Sequence, residues 1–213
     1  MLELERISNA TTIFFDFDGV IKDSVEVKSE AFEKLFSPFG DKVSRKVRRH
    51  HEMNGGMSRF EKIPIYLEWV ELSCNPVVVE QFSNEFSKLV MQKVIDSEWV
   101  LGVRSFIENN YKSKIFFVIT ATPQSEIEEI MDRIGIIKFF KKIIGSPTNK
   151  SDAVGLIIDK FDIDINTSIM IGDSITDHQA ATDNNISFIL RKTPLNYHLQ
   201  NKLNCDKIDN FKL

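Results

Sequence analysis

The stretch "FFDFDGVIKDS", residues 14–24, places acidic side chains where a buried strand is expected to end. Asp16 and Asp18 are separated by a single residue, and Gly19 follows directly. Side chains at positions i and i+2 of an extended chain point the same way, so both carboxylates can face one ligand. Two like charges at this spacing repel each other, and no obvious partner stands beside them. Their partner is therefore expected elsewhere in the chain or in solution.

The composition is that of a soluble globular protein with one sizeable core. The 213 residues are 42% hydrophobic and 27% charged, and the net charge of −4 offers no basic field for nucleic acid or an anionic membrane. No apolar run approaches the roughly 20 residues of a membrane span, and the N-terminal residues lack a signal pattern. Cys74 and Cys205 form no metal-ligand spacing and no disulfide framework. We expect a cytoplasmic protein that binds neither nucleic acid nor membrane.

Short apolar runs alternate with helical patterns along most of the chain. The runs "TIFFDF", "KIFFVIT", "SIMIGD" and "ISFIL" are typical of strands buried on both faces. Between two of them, "PQSEIEEIMDRIGI" repeats apolar residues at helical spacing, with Thr122 and Pro123 expected to begin the helix. This alternation predicts right-handed βαβ units and a doubly wound, Rossmann-like α/β fold with a parallel sheet.

The region from about Val25 to Trp99 breaks this alternation. It contains no convincing strand, and its charged and apolar residues repeat with the period of several helices. We expect an all-helical domain, residues 25–99, inserted into a core formed by residues 1–24 and 100–213. The sheet is expected to resume near Leu101.

Polar side chains are predicted to meet at one rim of the sheet, because ligands of open α/β sheets bind beyond the carboxyl ends of the strands. The predicted set is Asp16, Asp18, Thr120, Lys150, Asp173 and Asp177. A single aspartate after a strand is more often a helix cap than a catalyst, but four acids on one rim repel unless a cation neutralises them. Oxygen ligands without His or Cys suit Mg²⁺. With a lysine, helix N-termini and a nucleophilic carboxylate, the set predicts phosphoryl transfer.

Four of these segments resemble the motifs of the haloacid dehalogenase superfamily, in the same order. They are "DFDGVIKDS", "VITAT", Lys150 and "IGDSITD". The position of the insertion resembles the helical cap found in relatives of β-phosphoglucomutase and phosphoglycolate phosphatase. The resemblance implies a Mg²⁺-dependent phosphatase that hydrolyses a small phosphorylated metabolite, such as a sugar phosphate or a small organic phosphate.

The resemblance also implies a role for each motif residue. Asp16 would be the nucleophile that forms an aspartyl-phosphate, and Asp18 the general acid and then the base. Lys150 would neutralise Asp16, so that Asp16 is ionised while Asp18 is protonated. The expected Mg²⁺ ligands are Asp16, Asp18 (also through its backbone carbonyl) and Asp173, with Asp177 supporting them. The expected phosphate-binding residues are Gly19, Thr120, Ala121 and Lys150.

In the insertion, "NGGMSRFE", residues 54–61, resembles a cap loop of the mutase branch. Arg59 would bind a second anionic group of the substrate, or else be a solvated residue at a helix start. Lys28 stands where the mutases carry a histidine, and we expect it to contact a negatively charged substrate. The basic run "VSRKVRRHHE" indicates a solvated helix face, and its two histidines lack metal-ligand spacing.

Two other functions stay open at this point. A phosphomutase of the β-phosphoglucomutase type would use the same scaffold, and a non-catalytic module would bind phosphorylated ligands or a protein partner. Phosphonate cleavage and dehalogenation are disfavoured, because both branches lack the second aspartate of the first motif, which is Asp18 here. The chain is expected to be a monomer or a homodimer.

Overall fold

A six-stranded parallel sheet forms the centre of the structure, which is a computed structural model describing residues 2–212. Its strands are β1 (Thr12–Phe15), β2 (Ile115–Pro123), β3 (Lys142–Ser146), β4 (Ser168–Gly172), β5 (Ser187–Arg191) and β6 (Asp206–Ile208). They are ordered β3-β2-β1-β4-β5-β6, and every neighbouring pair is parallel. The predicted fold class is confirmed. Two strands were not predicted, because β3 is a brief apolar run beside lysines and β6 is a three-residue edge strand.

The helices that the structure describes cover both faces of this sheet or form the segment inserted after β1. They are α1 (Leu2–Asn9), α2 (Val25–Phe36), α3 (Asp41–Met53), α4 (Arg59–Glu68), α5 (Pro76–Asp96), α6 (Val103–Asn110), α7 (Gln124–Arg133), α8 (Lys150–Phe161), α9 (Ile175–Asp183) and α10 (Tyr197–Lys202). Successive residues of β1 show how the layers form. Phe15 packs with α6 and α7 on one face, while Phe14 stacks on Phe117 at 5.2 Å and packs with α8 and α9 on the other.

Helices α2–α5, here called the cap (residues 25–96), lie between β1 and β2. The two chain segments that connect the cap to the core pair with each other. The Asp23 amide donates to the Glu98 carbonyl at 2.9 Å, and the Val100 amide donates to the Ile21 carbonyl at 3.1 Å. The predicted domain limits lie next to this pairing and stay a prediction.

The expectation that the sheet resumes near Leu101 was wrong. Helix α6 comes first, and β2 begins only at Ile115. Val103, Phe106 and Ile107 recur at helical spacing and bury one side of α6 against the sheet.

The topology brings distant polar residues to one crevice. From β1 the chain builds β2 and β3 on one side and then β4 to β6 on the other, so the strand order reverses beside β1. Ligands of such sheets bind at this switch point, beyond the carboxyl ends of the strands. Among the helices that the structure describes, none is both long and apolar enough to cross a bilayer.

Candidate active site

Three aspartates meet at the switch point. Asp16 follows β1, Asp173 follows β4, and Asp177 lies in the first turn of α9. Carboxylate oxygens of all three lie within 4.8 Å of one another. Asp177 is held by Ser174, whose backbone amide and hydroxyl donate to its Oδ2 at 3.1 and 2.6 Å. A helix cap therefore fixes one acid of the cluster.

Lys150 joins two of these acids. It is the first residue of α8, and its Nζ lies 2.8 Å from Asp16 Oδ2 and 2.6 Å from Asp177 Oδ1. Burial alone would lower the pKa of the Lys150 ammonium, but the two carboxylates outweigh it and raise this pKa above its usual value. The lysine therefore stays charged beside the predicted nucleophile.

Asp18 has a separate set of partners. The Ser24 hydroxyl donates to its Oδ1 at 2.6 Å, the Thr122 hydroxyl donates to its Oδ2 at 3.2 Å, and the Lys28 ammonium also donates to Oδ2. Burial would raise the pKa of Asp18, but Lys28 and the two hydroxyls outweigh it and lower this pKa.

The surrounding residues raise the pKa of Asp16 and lower that of Asp18. Burial, followed by the charge of Asp177, raises the pKa of Asp16 to about 7. Burial and the charge of Asp16 raise the pKa of Asp173 well above its usual range. Lys28, which the sequence did not pair with Asp18, stabilises the ionised form of Asp18.

This cluster fits a hard divalent cation. Its ligands are carboxylate oxygens, the atoms that Mg²⁺ prefers in proteins. The mutual repulsion that raises the pKa values of Asp16 and Asp173 is what a cation between them would relieve. Asp16 and Asp173 are therefore suitable Mg²⁺ ligands.

Gly19 lets the backbone pass close to Asp173. Its φ is +75°, and a Cβ there would lie 2.3 Å from Asp173 Oδ2. On the other side, the Asn196 side chain donates to the Asp173 backbone carbonyl at 2.7 Å. Asn196 had no sequence signal, because it lies 23 residues away, in a turn after β5.

The residues after β2 differ in part from the prediction. Ala121 and Lys150 line the cavity of the site. The buried Thr120 hydroxyl instead accepts a hydrogen bond from the Thr122 amide at 3.2 Å, and it is Thr122 that lines the cavity. The expectation that Thr122 caps a helix was wrong. Helix α7 begins at Gln124, and the Thr122 hydroxyl donates a hydrogen bond to Asp18.

The cap closes over these residues and leaves a cavity of about 70 Å³. Its polar lining includes Asp16, Asp18, Lys150 and Asp173 from the core and Lys28, His51, Arg59 and Lys62 from the cap. His51 and Lys62 were not predicted. The basic run around His51 forms α3, but His51 itself is buried instead of lying on a solvated face.

Arg59 is not solvated. Its side chain is 3% exposed and donates to both carboxylate oxygens of Glu126, at 2.9 and 2.6 Å. The pair joins α4 of the cap to α7 of the core. The contact of Arg59 with a substrate anion stays a prediction. The Arg59 guanidinium already has a carboxylate partner in Glu126.

Comparison with known proteins identifies the family of the chain. The sequence profile of the family described as "Haloacid dehalogenase-like hydrolase" matches residues 13–191. The chain belongs to this family. A curated relative from Thermotoga maritima, "Phosphorylated carbohydrates phosphatase", is 25% identical over 133 residues. That match covers 62% of this chain and 59% of the relative, so the chain spans little more than half of that protein's length.

Solved structures of family members share the fold. CbbY from Rhodobacter sphaeroides, crystallised with phosphate, superposes with a TM-score of 0.75 at 16% identity, covering 95% of each chain. The β-phosphoglucomutase from Clostridium difficile has a TM-score of 0.75 at 19% identity, covering 95% of this chain and 92% of its own. At these identities the likeness establishes the fold alone.

Proposed function

We propose that the protein is a Mg²⁺-dependent phosphatase that hydrolyses a small phosphorylated metabolite. The observation that carries this proposal is Lys150, whose ammonium lies between Asp16 and Asp177 while Asp173 completes an oxygen-only cluster. A charged lysine and a divalent cation together suit a phosphoryl dianion.

Asp16, Asp173 and the backbone carbonyl of Asp18 would hold the Mg²⁺. When bound, the cation supplies positive charge that keeps both carboxylates ionised and polarises the phosphoryl oxygens. Lys150 adds charge at Asp16 Oδ2, and Asp177 keeps that lysine in place. Gly19 lets the backbone after the nucleophile pass close to Asp173.

The reaction would proceed through an aspartyl-phosphate. An Asp16 oxygen attacks phosphorus, the ester P–O bond breaks, and the leaving oxygen takes a proton from Asp18. Asp18 then takes a proton from water as that water attacks the aspartyl-phosphate, which releases inorganic phosphate and restores Asp16. The overall products are the alcohol and phosphate.

Lys28 must change partner for this proton transfer. In the observed arrangement it stabilises ionised Asp18, which opposes donation of a proton. An anionic substrate offers Lys28 an alternative partner, and the pKa of Asp18 then rises. Lys28 would thus couple substrate binding to the protonation of Asp18.

Two observations support the substrate class. The Thermotoga maritima relative is named for phosphorylated carbohydrates, and the cavity of about 70 Å³ under the closed cap suits a compact molecule. We therefore infer a small sugar phosphate or organic phosphate.

The test is phosphate release from an aryl phosphate and a panel of phosphorylated metabolites, with Mg²⁺ and with chelator. Asp16→Asn should lose at least about a thousandfold in kcat and still bind Mg²⁺ in calorimetry. Asp183→Asn, at an exposed acid of α9, is the matched control and should retain activity. Full activity of Asp16→Asn would rule out the covalent mechanism. Isomerised hexose phosphate without free phosphate would identify a mutase instead.

A further inference from the structure

Lys62 is a buried lysine in the roof of the active-site cavity. It lies on α4, is 1% exposed, and lines the same cavity as Asp16 and Asp18. Its Nζ lies 2.9 Å from His51 Nδ1, and within the described residues 2–212 no carboxylate lies within ion-pair distance of it. A buried ammonium without a counter-ion is rare and costly.

The other cations of the cavity differ from Lys62 in this respect. Lys28 is paired with Asp18, Lys150 with Asp16, and Arg59 with Glu126. Lys62 therefore stands out among the cavity cations that the structure describes. A lysine with only a structural role would extend its charged end to water, whereas this side chain is enclosed.

The surroundings of Lys62 disfavour its charged form. Burial lowers the pKa of Lys62 to about 7, the charges of Lys28 and Lys150 contribute in the same direction, and Glu61 and Asp18 offset only part. An anion in the cavity would stabilise the ammonium and raise the pKa of Lys62.

Lys62 and His51 also have hydrogen-bond donors to offer. Nδ1 of neutral His51 accepts from the ammonium, which leaves two N–H groups on Lys62 and places the histidine proton on Nε2. Burial and the charge of Lys62 lower the pKa of His51, so the imidazole stays neutral. The pair can thus donate to oxygens of a ligand while the charge comes from Lys62 alone.

We propose that Lys62 and His51 recognise a carboxylate on the alcohol part of the substrate, so that the enzyme prefers short phosphomonoesters that carry a carboxylate. This inference rests on the proposed phosphatase function and names the substrate class for that site. A carboxylate fits better than a second phosphate, because Lys62 brings a single charge and, within the described residues, the charged side chains Lys28, Lys150 and Arg59 of the cavity already have carboxylate partners.

The decisive experiment compares two esters of equal length, 3-phosphooxypropanoate and propyl phosphate. The wild type should show a kcat/KM ratio of at least about 30 in favour of the carboxylate ester, as a charge-assisted contact in a buried site provides. Lys62→Met, which keeps the length and removes the charge, should bring the ratio down to a few-fold. Lys46→Met, at an exposed cap lysine outside the cavity, should leave it unchanged.

Each other outcome has a defined meaning. Hydrolysis of both esters with a ratio near one overturns the carboxylate site and leaves the phosphatase intact. Preference for propane-1,3-diol bisphosphate over the carboxylate ester overturns the carboxylate assignment in favour of a second phosphate. If no ester is hydrolysed, the phosphatase proposal fails, and calorimetry with 3-phosphooxypropanoate still tests the site: equal affinity of wild type and Lys62→Met overturns it.

Discussion

The Arg59 guanidinium and the Glu126 carboxylate form a buried two-point ion pair between the cap and the core, with N–O distances of 2.9 and 2.6 Å. The Ser87 hydroxyl on α5 also donates to Glu126, at 2.7 Å. One acid of α7 thus holds two helices of the cap.

Removing this acid should destabilise the protein strongly. Glu126→Ala leaves the guanidinium buried without a counter-ion, and we expect a loss of about 3 kcal/mol in the free energy of unfolding, measured in urea. The double variant Arg59→Met/Glu126→Leu should recover most of this loss, because it removes both charges. Glu85→Ala, in the exposed pair with Lys88, is the control and should cost under about 0.5 kcal/mol. Equal losses for Glu126→Ala and Glu85→Ala would contradict the prediction.

The raised pKa of Asp16 predicts a pH dependence of stability in protein treated with chelator. With a pKa of about 7 in the folded state against 3.8 in the unfolded chain, folding keeps a proton that unfolding releases. The contribution of Asp16 to stability is therefore lost as pH rises from about 4 to about 7. Asp16→Asn should exceed the wild type by roughly 2–4 kcal/mol near pH 8, and this gain should shrink towards pH 4. A pH-independent gain in urea unfolding would contradict this cause.

Magnesium should stabilise the folded protein through the aspartate cluster. At about a hundredfold excess over its Kd, Mg²⁺ should add about 2.7 kcal/mol to the free energy of unfolding and raise the thermal midpoint. Asp173→Asn should abolish most of this shift, whereas Asp183→Asn should keep it. The thermal midpoint is measured by differential scanning calorimetry with and without Mg²⁺. If Mg²⁺ raises the midpoint of Asp173→Asn as much as that of the wild type, the cation binds elsewhere.

Lys62 should make the protein less stable than an apolar residue would. Its pKa of about 7 in the folded state lies below the ordinary 10.5, so between these values the unfolded chain binds a proton that the folded protein lacks. Stability should therefore rise with pH through that window, and the penalty should be greatest below about pH 7. Lys62→Met should be more stable than the wild type by roughly 2–4 kcal/mol near pH 6, with the gap closing towards pH 10.

The matched variant for this measurement is Lys46→Met, which removes an exposed lysine from the same cap. Lys46→Met should not be more stable than the wild type at pH 6, and its difference in the free energy of unfolding should not change towards pH 10. A loss of stability in Lys62→Met at pH 6 would mean that the lysine already has a counter-ion in the folded protein.

Local patterns were sufficient for four of the six strands of the sheet and for its polar rim. The acids after β1 and β4 and the lysine that begins α8 could be placed from strand ends and motif spacing, because parallel strands bring their carboxyl ends to one edge. The edge strand β6 escaped prediction because a three-residue strand carries almost no periodicity. Helix α6 escaped because its eight residues make little more than two turns, too few for a clear helical periodicity.

The charge partners of the cap could not be predicted in this way. Glu126 lies 67 residues from Arg59, and His51 lies on a different helix from Lys62. As isolated patterns, a basic run and an arginine at a helix start are typical of solvated surfaces.

The sequence by itself determined the doubly wound sheet, the position of the helical insertion, and the presence of Asp16, Asp18, Lys150 and Asp173 at one rim. Periodicity and strand ends are local properties, so they can be read from neighbouring residues. Only the tertiary structure decided which cation serves which acid, that Lys28 holds Asp18 in its ionised form, and that Lys62 has no carboxylate partner among the described residues. These features depend on burial and on contacts between helices that are distant in the chain. Burial removes the solvation of a charged group, so its neighbours then determine its pKa.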